Sequence, residues 1–252
     1  MFKNNTIEFI YPTGTKDLLE DIFPIPIKFN LPEWYKNLKT NEQFRTIKSC
    51  MPFLDAMTSG YLLKMPQDFF IDHNFINKET QKPDSVFRFS INDVAKSHLE
   101  KLNLNLNTIQ PEVHSSQQLG SECPYHNKNK NLPYYKILNP FIIKTPPGYS
   151  CLFLNVLNNY DDRFEIISGI VDTDSFNANI NFPIIINGDK YSNLKTTIKR
   201  GTPYVQVFPF KREKWKMKMK ESNKSFILRL LEGKKLIWNN YKKLIWNKKS
   251  WN

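Results

Sequence analysis

Two short runs between Ile166 and Phe210 decide how this chain is read: Gly169-Ile170-Val171-Asp172-Thr173-Asp174 and Gly201-Thr202-Pro203-Tyr204-Val205-Gln206-Val207. Each joins an apolar, β-branched stretch to turn-forming residues, the pattern of a short strand bounded by a tight turn. The same pattern repeats from Pro140 to Phe210. Strands are predicted at Phe141–Lys144, Ser150–Leu154, Phe164–Val171, Asn181–Ile186, Thr196–Ile198 and Tyr204–Pro209. Turn residues separate them at Pro146-Pro147-Gly148, Asn158 to Asp162, Asp172 to Asp174 and Asn187-Gly188-Asp189. Strands this short and this regularly punctuated imply a mainly β domain, a sandwich or a compact barrel.

Upstream the signal thins. Pro12, Gly14, Pro24, Pro26 and Pro32 break up residues 1–50, and Pro24-Ile-Pro-Ile cannot form a central strand or a helix interior. That region is expected to be an extended N-terminal arm followed by a short helix near Pro32–Leu38. A turn or helix at Pro52–Thr58 and strands at Tyr61–Lys64 and Asp68–Asp72 open the β domain, taken as residues 51–210. Residues 74–135 are polar and Asn-rich, and read as an insertion carrying a strand (Ser85–Ser90) and a short helix near Val94–Leu99.

At 252 residues the chain can bury a sizeable core, and 40% hydrophobic with 14% aromatic residues is a globular composition. Met1–Pro12 has no basic stretch followed by an apolar run, and no segment has the apolar length of a membrane span. The expectation is a cytoplasmic protein with no transmembrane segment. Three cysteines (Cys50, Cys123, Cys151) are too few and too odd for a disulfide framework. Cys123 and His126, with His114 nearby, form only part of a zinc ligand set, so no metal site is expected there.

The charge is concentrated. Residues 211–252 hold fourteen Lys or Arg against three Glu, while residues 1–210 hold twenty-two basic and twenty-one acidic residues. Four of the five tryptophans also lie in this tail, and Lys-Lys-Leu-Ile-Trp-Asn occurs twice, at 234–239 and 242–247. From Phe226 the apolar spacing fits one face of a helix, with Lys234, Lys235, Lys242 and Lys243 mostly on the other and Trp238 and Trp246 within the repeats. Three readings stay open: packing of that face on the chain's own body or a neighbouring subunit, which is favoured; binding of nucleic-acid phosphate; and attachment to an anionic membrane.

Three segments carry a resemblance to the β-clip fold of trimeric dUTPases and dCTP deaminases. Asp55-Ala-Met-Thr-Ser-Gly-Tyr61-Leu-Leu resembles their first motif, Gly169 to Asp174 the dUTPase third motif, and Gly201 to Val207 the Gln-containing segment that closes the fold. The resemblance implies that Asp172 positions an attacking water and that Gln206 lies near phosphates. Asp174, Tyr61 and Ser150 are the other implied ligand contacts, and Mg²⁺ and a trimer come with the fold family. The chain departs from the family pattern elsewhere. Ser175 and Asn177 stand where the sugar-stacking tyrosine and a motif glycine are expected, and Pro147 to Ser150 is the nearest counterpart of the phosphate-binding motif. The plainer reading of Asp172 and Asp174 is turn chemistry, and it is preferred. Gln206, on an alternating strand, reads as solvent-facing in the same spirit.

The runs Pro52 to Tyr61, Lys144 to Ser150 and Gly201 to Arg212 are also similar to an uncharacterised family of marine bacteriophage and bacterial proteins. Together these readings lead to an expectation of a phage-encoded accessory or binding protein on a β-clip-like scaffold, its ligand a nucleotide. The alternatives are a divergent Mg-dependent hydrolase of dUTPase type and a virion or assembly component that uses the basic tail.

Overall fold

The computed structural model describes residues 5–40, 45–74, 76, 79–82, 84–90, 112–159, 161–222, 224–229 and 241–252. The fold is mainly β, built from antiparallel sheets. The chain forms two compact units, Met1–Ile25 with Gly60–Lys211, and Pro26–Ser59 with Arg212–Asn252.

The first unit holds the sheets. Its central strand is β14 (Pro203–Lys211), which pairs on one side with β9 (Tyr149–Leu154) and on the other with β3 (Tyr61–Lys64). β11 (Gly169–Val171) adds to β9, and the two-residue strand β2 (Ile25–Pro26) lies beyond β3. A second sheet runs β10 (Phe164–Ile166), β12 (Phe182–Ile186), β7 (Tyr134–Ile137), β6 (Glu112–His114). A third runs β13 (Asn193–Ile198), β4 (Asp68–Asn74), β5 (Asp84–Ser90), and β1 (Glu8–Ile10) pairs with β8 (Ile142–Lys144). Alternation does the sorting. Leu63, Phe69, Ile71, Phe153, Ile184, Ile198, Val205 and Val207 point into one apolar core drawn from all three larger sheets.

Residues 164–171, read in the sequence as one strand, are two strands in different sheets. Phe164 and Ile166 are buried beside β12, whereas Gly169 to Val171 pair with β9. The switch is held by the Asn155 side chain, whose Oδ1 accepts the Ile166 N–H at 2.8 Å while its Nδ2 donates to the Ile166 carbonyl at 3.2 Å. An amide has both functions of a peptide group, so it can continue a ladder where a strand leaves it. The strands β1, β6 and β7, and the helices Lys16–Leu19 and Pro124–Lys128, carried no sequence signal that was read. The helix expected near Val94–Leu99 lies outside the described residues.

Arg200 staples the start of the chain to this unit. Its guanidinium donates to both Asp21 carboxylate oxygens at 2.7 and 2.6 Å and to the carbonyls of Pro66 and Leu18, while its backbone N–H reaches Asp68 at 2.8 Å. The Arg200 hydrogen bond holds the Asp21 carboxyl below its usual pKa, and Lys199 does the same for Asp68.

In the second unit, the helices Glu33–Asn37 and Met51–Thr58 bring Trp34, Tyr35 and Phe53 into edge and tilted ring contact. Among the described residues no helix is long and apolar enough to cross a membrane.

Two predictions follow from buried positions. Gly60 has φ +83°, and a Cβ there would lie 2.3 Å from the Val207 carbonyl oxygen. Gly60→Ala is expected to destabilise the protein by roughly 2–4 kcal/mol, read as a lower denaturant midpoint, because both backbone strain and a backbone clash are imposed. His73 is fully buried, and burial depresses its pKa to about 4 from 6.5. The unfolded chain therefore takes up a proton before the folded one does. Stability is fully present above about pH 6.5, falls as pH drops toward 4, and in total loses up to about 3 kcal/mol from this group. His73→Gln should flatten that part of the stability–pH curve; a parallel curve would refute a buried neutral imidazole.

Candidate functional site

Two of the turns read in the sequence, Pro146-Pro147-Gly148 and Asp172 to Asp174, meet. The turn that ends β11 lies against the Lys144–Ser150 segment that connects β8 to β9. Ser150, fully buried, donates its hydroxyl to Asp172 Oδ1 at 2.6 Å, and Asp174 Oδ2 accepts the Gly148 N–H at 2.8 Å. Between them Thr173, also fully buried, shares a 2.7 Å hydrogen bond with Thr145 and touches the Cys151 sulfur at 3.4 Å. The Asp172 carbonyl accepts from the backbone of Ser175 and Phe176, and Lys144 caps Phe176 and Asn177. Every polar group of the Asp-Thr-Asp turn named here is bonded to the chain itself. This is the turn chemistry that Asp residues support.

Gln206 lies elsewhere. It pairs with Leu154, whereas Asp172 lies at the level of Ser150, four residues back along β9 and so about 13 Å away at the strand rise. Within one chain these two side chains do not share a pocket. Gln206 is fully buried, not solvent-facing, and its Oε1 accepts the Leu157 N–H at 2.9 Å. Burial does not alternate along β14: Tyr204, Val205, Gln206 and Val207 are all buried, and the loop after β9 covers the face that Gln206 occupies. Tyr61 stands opposite Val207 with its ring 5.6 Å from that of Phe9, and burial pushes its hydroxyl pKa up. It is a wall of the core. In the tail, Trp246 donates its indole N–H to Asp55 at 2.9 Å and Lys249 reaches the same oxygen at 2.7 Å. Lys242 and Lys243 are exposed on the single π-helical turn Tyr241–Ile245. Lys234, Lys235 and Trp238 lie outside the described residues.

The loop that Gln206 supports forms one side of a cavity of about 200 Å³, which no sequence motif announced. Its apolar wall is Phe164, Pro203 and Tyr204; its polar wall is Lys128, Asn155, Asn159 and Asn187 with three carboxylates. Each carboxylate is neutralised. Lys128 meets Glu165 at 2.5 Å, Arg163 forks onto Asp161 at 2.6 and 2.8 Å, and Asp162 is held by Lys190 and by the Tyr191 hydroxyl at 2.7 Å. The Lys190 hydrogen bond keeps the Asp162 carboxyl below its ordinary pKa, and the Asp161 pair raises that of Arg163. Tyr204 is 2% exposed, and its hydroxyl has no hydrogen-bond partner among the described residues; burial drives its pKa far up, so it stays a neutral donor. The hydroxyl is not one of the fully buried atoms left without a bond, so it keeps accessible surface on which a ligand or water can be met. Among the described residues no group of His, Cys, Asp and Glu is placed to hold a metal ion.

The role of Asp172 is testable. Asp172→Ala removes the acceptor of a buried hydroxyl and is expected to cost about 1–3 kcal/mol, while Asp172→Asn keeps an oxygen there and costs less than about 1 kcal/mol. Equal losses in urea denaturation would mean that the charge matters rather than the bond. No protein-family model matches the chain, and a search of curated proteins returns no match.

Proposed function

We propose that this chain is a binding protein on a β-clip-like scaffold, of the accessory phage-encoded kind, whose cavity beside the loop after β9 takes the nucleoside part of a nucleotide. The observation that carries the reading is a wall whose charges are paired with one another while the Tyr204 hydroxyl and the Asn159 amide make no hydrogen bond among the described residues. The carboxylates there are already paired, so the cavity presents little net charge and does not favour a bare triphosphate. Amides do favour a base edge, because each offers a donor and an acceptor in one plane. Asn159 makes no side-chain hydrogen bond among the described residues, and Asn187 spends only its Nδ2, on the Asp162 carbonyl at 3.0 Å. Phe164 and Tyr204 supply flat apolar surface for a ring. Phosphates would remain at the mouth, within reach of solvent. Hydrolysis by Asp172 is not part of this proposal, since its turn bonds to itself and stands away from Gln206.

A thermal-shift series with deoxynucleosides, ribonucleosides and their phosphates tests it. A ligand at a hundred times its dissociation constant adds about 2.7 kcal/mol of stability. Nucleosides are expected to shift the transition as well as nucleotides do, with no dependence on Mg²⁺. Tyr204→Phe should keep the fold and weaken the affinity about fivefold or more. No shift with any of these compounds, or a shift unaltered in Tyr204→Phe, would overturn the reading.

A further inference from the structure

Immediately after β14 the chain runs Arg212-Glu-Lys-Trp-Lys-Met-Lys-Met-Lys-Glu221. From Arg212 to Ser222 it forms no helix, strand or turn, and every residue is exposed. Trp215 is 87% exposed, Met217 91% and Met219 84%. Three large apolar side chains within five residues, all held in water, are unusual on a protein surface and mark a contact surface rather than a solvated one. The alternation is complete: Arg212, Lys214, Lys216, Lys218 and Lys220 occupy the even positions, and Trp215, Met217 and Met219 the odd ones, bracketed by Glu213 and Glu221. A helix would scatter these residues around its circumference. Only an extended chain puts the cations on one side and the apolar groups on the other.

We propose that residues 212–220 form a peripheral attachment strip for an anionic lipid bilayer. Five basic residues against one acidic residue in that span call for a polyanion. The two-sided arrangement chooses among polyanions. On a bilayer the Trp and Met side chains enter the headgroup and acyl boundary, while the lysines, a few ångströms above and within a Debye length, see the surface charge. Tryptophan is at home at that level. A single-stranded nucleic acid would need bases and phosphates met from the same side, and methionine has no π face to stack on a base. Pairing of this strip with its counterpart in a second copy, in any register that keeps the two faces apart, would set lysine opposite lysine, which is unfavourable. Insertion here is shallow and reversible, by side chains and not by a membrane-crossing element.

Co-sedimentation of the full-length protein with vesicles tests the proposal, using phosphatidylcholine alone and phosphatidylcholine doped with phosphatidylserine. Binding is expected only to the doped vesicles and should weaken as salt is raised. Replacing the four lysines (K214Q, K216Q, K218Q, K220Q) should lower the partition about a hundredfold or more. W215S, M217S and M219S together should lower it about tenfold or more with all charges kept. All seven positions are exposed, so both variants should melt at the wild-type temperature. Absence of binding to the doped vesicles, or binding indifferent to the Trp and Met replacements, overturns the proposal. Tight binding of oligothymidylate that survives M217S and M219S would assign the strip to nucleic acid instead and overturn it equally.

Discussion

The first unit depends on one strand having two neighbours. β14 is hydrogen-bonded to β9 from Gln206 to Lys211 along one edge and to β3 from Pro203 to Val207 along the other, and the two pairings overlap at Gln206 and Val207. Its core-facing residues Val205 and Val207 are fully buried, and Gly60 makes the approach to β3 possible because nothing larger fits against the Val207 carbonyl. Pairing on both edges satisfies the backbone and leaves the side chains to choose faces, which is why a run as short as Gly201 to Val207 can organise so much of the chain.

A second device recurs where strands end or change sheets. Asn129 donates to the Leu132 and Pro133 carbonyls and accepts the Ile186 N–H; Asn139 accepts from and donates to Phe141; Asn155 does both to Ile166; Gln206 accepts from Leu157. Each stands in for a missing peptide partner. Buried carboxamides of this kind meet the requirement that interior polar groups be paired, and they also fix where the loops run. The cavity is a by-product of that rule: the loop held by Gln206 and Asn155 leaves room above Phe164 and Tyr204.

The electrostatics divide along the same lines. In the first unit most cations named here are spent on carboxylates or carbonyls, as with Arg200 on Asp21, Arg163 on Asp161 and Lys128 on Glu165. The excess charge lies after Lys211. There Trp246 and Lys249 are bound to Asp55, whereas Trp215 and its flanking lysines are not engaged by any described residue. The same composition therefore serves structure at one end of the tail and presents an unoccupied surface at the other.

Residues alone determined the mainly β class and the strands Tyr61–Lys64, Ser150–Leu154 and Tyr204–Pro209, because period-two alternation and turn chemistry are local. They also located the turns at Pro146 to Gly148 and at Asp172 to Asp174, and the charge of the tail. Tertiary structure decided the rest. It split residues 164–171 between two sheets, since which neighbour a strand finds is not written in the strand. It buried Gln206, against what its residue type suggests, because burial depends on what a distant loop covers. The cavity was invisible beforehand for the same reason: Lys128, Asn155, Glu165, Asn187 and Tyr204 come from five separate stretches, and only packing brings them together.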